Sequence, residues 1–145
     1  MTAPSTTAGG PVLRRLSRPF AALAAAALPA GYVGAVDPNT PGHYPLCPFR
    51  QATGWWCPGC GGLRCVHALT RGEFTAALHD NLLAVVLFGI LGVLWVRWAF
   101  AALTGGPAPR VEMGPARLVA LGLVLLAFTV LRNVPAGVHL APPAV

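Results

Sequence analysis

Residues 57 to 61 read Cys-Pro-Gly-Cys-Gly, and a second Cys-Pro pair, Cys47-Pro48, stands upstream. Two thiols three positions apart can point at one metal ion, and a glycine after the second permits the positive φ that a closed knuckle requires. Two thiolates do not complete a tetrahedral site. Cys47 is the expected third ligand, and Cys65, His67 or His43 the fourth, with zinc the metal that suits such donors. A second Cys-x-x-Cys pair, which would make this pattern specific, is absent. The same Cys57/Cys60 pair could instead serve thiol–disulfide exchange, since a Cys-x-x-Cys at a helix start can have a depressed thiol pKa. No thioredoxin-like βαβ pattern accompanies it. A disulfide that only staples the loop is a third reading, and for Cys65 burial as a small apolar residue is the default. No Ser/His/Asp arrangement, phosphate loop, His-Glu-x-x-His or calcium loop is present, so the preferred function is non-enzymatic.

The elements that must position these residues are almost entirely apolar. Of 145 residues, 55% are apolar and 10% charged, with a mean hydropathy of +0.64. A soluble domain carries roughly 25% charged residues, so this chain lacks the polar surface needed to face water. Its formal charge of +6 comes from ten arginines, without lysine, against four acids. They stand at the ends of apolar runs, which fits membrane helices and gives no nucleic-acid footprint.

Three apolar runs follow. The first, Phe20 to Val36, is alanine-rich with Pro29, Gly31 and Gly34, and follows Arg14, Arg15 and Arg18. A retained helix is preferred to a cleaved signal peptide, because the run is near the ~17-residue lower limit for a span. The second, Leu82 to Val96, carries no charge before Arg97 and is anchored by Trp95 and Trp98; Arg97 is expected to snorkel. The third, Leu118 to Leu131, lies between Arg117 and Arg132 and is short for a crossing. Thr104-Gly105-Gly106-Pro107-Ala108-Pro109 joins the last two and cannot continue a helix.

The expected architecture is therefore all-α: an integral membrane protein with helices over about 19–37, 81–103 and 116–135. A Cys-rich segment, 42–80, carries short interfacial helices between the first two. Residues 1–17 are expected to be a disordered tail, 18–138 one membrane domain and 139–145 a C-terminal tail. Arginine placement puts the N-terminus in the cytoplasm and the cysteine loop outside a multi-pass cell-membrane protein. Thr70-Arg71-Gly72-Glu73 has the form of a capping box, with Leu69 and Phe74 as staple, and predicts a short helix starting near Arg71. Asn81 at the mouth of the second membrane helix could cap it or bond across helices. Arg64 is expected to pair with Glu73 or a headgroup phosphate.

Cys47-Pro48, Thr53-Gly54, Cys57-Pro58-Gly59-Cys60-Gly61 and Arg64, followed by Gly72-Glu73, Asn81 and an apolar helix, resemble the bacterial membrane-protein family catalogued as domain of unknown function 2752. The resemblance covers roughly residues 44 to 100 and extends to Arg132-Asn133. It implies a small integral membrane protein of no established activity, with Thr53, Gly54, Gly61, Arg64, Gly72, Asn81, Arg132 and Asn133 as motif residues. Leu63 stands where that family commonly has threonine, and Cys65 is additional to its pattern. The partners expected of the chain are the lipid bilayer and another membrane protein.

Overall fold

The first helix, α1 (Gly10–Ala35), starts before the apolar run. Val12-Leu13-Arg14-Arg15-Leu16 consists mostly of good helix formers, so the helix extends back through the arginines expected in the N-terminal tail. A computed structural model describes residues 10–142 of the chain. Residues 1–9 of the expected N-terminal tail, and 143–145 of the C-terminal one, lie outside the described residues.

Four further helices follow: α2 (Pro48–Thr53), α3 (Gly62–Thr70), α4 (Phe74–Thr104) and α5 (Pro115–Leu131). A 3-10 turn over Pro135–Leu140 follows α5. Among the described residues there is no strand. The fold is all-helical, as the composition requires. α2, α3 and the first turns of α4 lie between the two long helices, and α2 is not among those specified from sequence.

α4 merges the short helix expected near Arg71 with the apolar helix expected from 81. The join is Asn81, whose φ of −163° and ψ of 93° break the helix. Its Oδ1 accepts the Ala84 amide at 3.0 Å, so Asn81 caps the apolar part at its N3 position.

Thr70-Arg71-Gly72-Glu73 is a helix stop, not a capping box. The Glu73 amide donates to Ala68 O at 2.9 Å and the Gly72 amide to Leu69 O at 3.1 Å, the paired bonds of a Schellman motif. Gly72 takes the left-handed position at φ +76°, and the Thr70 hydroxyl donates backwards to His67 O. Phe74 is 65% exposed, so no staple forms. Glycine in the third place decided between the two patterns, because the left-handed cap needs a residue without Cβ.

α3 packs against α4, and α1 packs against both. The buried core is small, Cys65, Ala68 and Ala77, with Leu69, Ala84 and Val85 around it. Small side chains let these helices approach closely: a Cβ on Gly34 of α1 would lie 2.8 Å from Thr70 Oγ1. At the other end, Trp95 of α4 donates its Nε1–H to Pro19 O at 2.8 Å and meets Phe20 edge-on. Trp95 thus joins two helices, in addition to any interfacial role.

Among the described residues one helix, α4, is long and apolar enough to cross a bilayer, and its apolar window is 0% buried. α5 is apolar but only 17 residues long, and it buries no side chain within Pro115–Leu131. The structure thus carries one clear candidate span and a shorter apolar helix, where three spans were expected.

Candidate metal centre

Cys47 is the N-cap residue of α2, held extended by Pro48 at the first helical position. The chain turns at Gly54 (φ +74°) and returns through Trp55 and Trp56 to Cys57. Thr53 secures this turn: its hydroxyl donates to Phe49 O at 2.7 Å and accepts the Trp55 amide at 3.1 Å. The Pro58-Gly59 step then folds back so that the Cys60 amide donates to Cys57 O at 3.1 Å and Gly62 to Gly59 O at 2.9 Å.

These turns bring three sulfurs together. Cys47 Sγ lies 3.4 Å from Cys57 Sγ, Cys57 Sγ lies 2.9 Å from Cys60 Sγ, and all three fall within 4.8 Å of one another. The Cys57 amide donates to Cys60 Sγ at 3.3 Å, the kind of bond that steadies a thiolate ligand. A disulfide has S–S of about 2.05 Å, so no pair is bonded. Zn–S bonds of about 2.3 Å in a tetrahedron set sulfurs about 3.8 Å apart, within reach of these side chains by small χ1 rotations. The arrangement can hold a metal ion.

The electrostatics are uneven. A hydrogen bond from the Arg50 amide holds the Cys47 thiol below its ordinary range, against an opposing effect of burial. Burial, reinforced by the Cys57 thiol, pushes Cys60 up to about 12. A divalent ion therefore has to displace a tightly held proton from Cys60, which a coordinating metal does.

The residues behind the knuckle come from far along the chain. Asn81, 1% exposed, donates through Nδ2 to Pro58 O at 2.9 Å and Cys60 O at 3.1 Å. One side chain thus caps the apolar helix and clamps the knuckle. Arg132, also 1% exposed, donates from Nη1 to Cys57 O at 2.9 Å and from both terminal nitrogens to Cys60 O at 3.2 Å. Asn133 pairs with the Trp56 backbone. Gly61 sits at φ +82°, where an added Cβ would collide with Asp80 O. That contact seats the knuckle on α4.

None of the three expected fourth ligands joins the thiols. Cys65 is fully buried in the helix core, its Sγ 3.9 Å from Asn81 O, and burial pushes its thiol up to about 11. His67 ties α3 to α1 instead: Nδ1–H donates to Val33 O at 2.8 Å, while Arg71 Nε donates to Nε2 at 3.0 Å. Its Nε2 also lies 3.8 Å from Asp37 Oδ1. Both residues are buried, Cys65 against α4 and His67 against α1. His43 is exposed and outside the group. Arg64 approaches Asp80 at 4.0 Å.

Two contributors had no signal in the sequence. The Arg50 guanidinium stacks 3.1 Å from the centroid of the Trp56 ring. With Tyr44, Gln51 and Arg64 it borders an open cleft of ≈ 570 Å³ beside Cys47 and Cys60. Asp80 supplies the carbonyl beneath Gly61 and the carboxylate near Arg64. No spacing rule pairs positions 50 with 56 or 61 with 80 before the turns are known.

No curated protein and no solved structure matches the chain. Residues 47–95, from the first cysteine of the cluster to Trp95, match a family model described as "Protein of unknown function (DUF2752)". Arg132 and Asn133 lie beyond the matched residues yet grip the matched knuckle. Through the segment that builds the thiol cluster and α4 as far as Trp95, the chain is similar to the DUF2752 family of unknown function.

Proposed function

We propose that this is a multi-pass membrane protein, without enzymatic activity, whose cysteine knuckle holds one structural metal ion, zinc by its donor chemistry. The observation that carries the metal is the convergence of Cys47, Cys57 and Cys60 sulfurs within 4.8 Å. A metal so placed ties α2 to the turn before α3, a loop whose own core is slight. Thiolate donors select zinc among the divalent ions that keep tetrahedral geometry. The bound loop is a rigid surface suited to another membrane protein.

The membrane reading is supported by α4, by the apolar α5, and by how charge divides between the two ends. Arg14, Arg15 and Arg18 border one cleft with Trp98 and Gly106, so the start of α1 meets the end of α4. That end, with the α4–α5 connector, carries six arginines and one acid; the cysteine end carries four arginines and three acids. The positive end belongs in the cytoplasm and the knuckle outside.

Metal analysis of the purified protein, combined with thiol alkylation in intact cells, tests this reading. One zinc per chain with protected Cys47, Cys57 and Cys60 supports it. Absence of metal together with a Cys57–Cys60 disulfide that cycles with reductant sinks it and favours a thiol–disulfide oxidoreductase. The 2.9 Å separation of those two sulfurs is the observation on that second reading's side.

A further inference from the structure

We infer that Arg132 is the built-in counter-ion of the thiolate metal centre, and that it suits the centre to a divalent ion with three thiolates and a neutral fourth donor. This inference rests on the metal reading above.

The guanidinium is 1% exposed, and every hydrogen-bond partner it has is a neutral carbonyl: Cys57 O once and Cys60 O twice. Among the described residues its Nε has no hydrogen-bond partner. The Phe128 ring lies 4.8 Å from the guanidinium carbon on another side. Among the described residues no carboxylate comes within 4.0 Å of it, and Asp80 is engaged by Arg64. A buried cation answered only by neutral dipoles is expensive, and such groups occur where an opposite charge is near.

The carbonyls it grips belong to two of the three candidate ligands, so the missing charge has an evident location. Three thiolates around a divalent ion carry a net single negative charge, which one guanidinium cancels. A monovalent ion, or an anionic fourth ligand, would leave a second negative charge beyond the one Arg132 answers, because Arg64, the other largely buried cation beside the cleft, is engaged by Asp80. Arg50 does not alter this balance, because it is solvent-exposed and screened. The fourth position therefore suits water or an imidazole, supplied from the cleft beside Cys47 and Cys60. Arg132 is a positioning and charge-balancing residue and not itself a ligand.

The test uses the full chain in detergent micelles with Co2+ as spectroscopic probe. Wild type should bind one Co2+ with thiolate-to-metal charge-transfer bands. Arg132→Met should weaken binding by ~10–100-fold, the usual effect of removing a group that supports a ligand. Arg132→Lys, which keeps the charge and loses the fork, should recover most of that loss. Methionine binding as tightly as wild type overturns the inference, as does lysine binding as weakly as methionine. A second measurement needs no substitution: imidazole should shift the Co2+ d–d bands of wild type, while azide should not. An azide shift without an imidazole shift overturns the neutral fourth donor. Wild type that binds no Co2+ removes the metal reading itself, a result distinct from a metal-loaded protein indifferent to Arg132.

Discussion

Asn133 holds the backbone of Trp56 from both sides. The Trp56 amide donates to Asn133 Oδ1 at 2.8 Å, and Asn133 Nδ2 donates to Trp56 O at 2.9 Å. The same Nδ2 donates to Thr129 O at 2.7 Å, which fixes the side chain against its own helix. An amide side chain here acts as one more peptide group, pairing with a loop 77 residues away. With Arg132 it docks the end of α5 on the cysteine loop, while no residue within Pro115–Leu131 is fully buried.

Removing that pairing should loosen the loop. Asn133→Leu leaves the partly buried amide and carbonyl of Trp56 without partners, at a cost of about 1–3 kcal/mol. Denaturation of the detergent-solubilised protein measures this. Unchanged stability would mean that water replaces the side chain at no cost.

Glycine is required at position 61 and not at 62. Gly61→Ala combines a left-handed backbone, worth about 1–2 kcal/mol against an L-residue, with a collision against Asp80 O. Gly62 has nothing within 4 Å of its would-be Cβ and opens α3. Gly62→Ala should therefore stay within about 1 kcal/mol of wild type, on the stabilising side by helix propensity. Thermal melts of the two variants should separate clearly, and equal melts would contradict the seating of the knuckle on α4.

Cys65 should make the metal-free protein sensitive to alkali. Its thiol is raised from an ordinary 9.0 to about 11 by burial, so the folded chain holds that proton more tightly than the unfolded chain. Its contribution to stability is complete below pH 9 and is lost as pH rises from about 9 through about 11. Denaturant midpoints measured with chelator present should fall over this window in wild type. They should fall less steeply in Cys65→Ala, whose overall stability is lower by the lost packing. Parallel pH profiles would show that Cys65 does not titrate with unfolding.

The uneven arginines predict sidedness. A topology reporter at Asn39 should report outside the cell and one at Gly106 inside it. A cytoplasmic signal at Asn39 would invert the assignment and place the thiols in a reducing compartment.

Some of the site was legible because it is local. Cys57, Pro58, Gly59, Cys60 and Gly61 form their turn from neighbouring residues alone, and Cys47 is near enough for a short helix to return it to them. Asn81 and the Arg132-Asn133 pair were marked by resemblance, which said that they belong to the pattern without saying what they touch. Cys65 and His67 were candidates for the fourth ligand because sequence spacing puts them near Cys60, although burial was the default for Cys65, and Cys65 is buried. The direction of their side chains was decided by which face of α3 packs on α1 and α4. Thr70 to Glu73 matched two motifs of opposite meaning, and only the backbone of Gly72 chose between them.

The sequence by itself determined an all-helical chain with almost no polar surface and gathered its three usable thiols in one loop, since composition and short-range turns act within a few residues. Tertiary structure alone decided that, among the described residues, a buried arginine carries no acid partner, and that the apolar helix begins on an asparagine that also grips the knuckle. Those relations join residues 60, 81 and 132 across helices. Their energies come from burial and hydrogen bonding between distant segments, which no local pattern encodes. The Cys-Pro-Gly-Cys-Gly turn is a local structure, and its charge environment is a property of the whole fold.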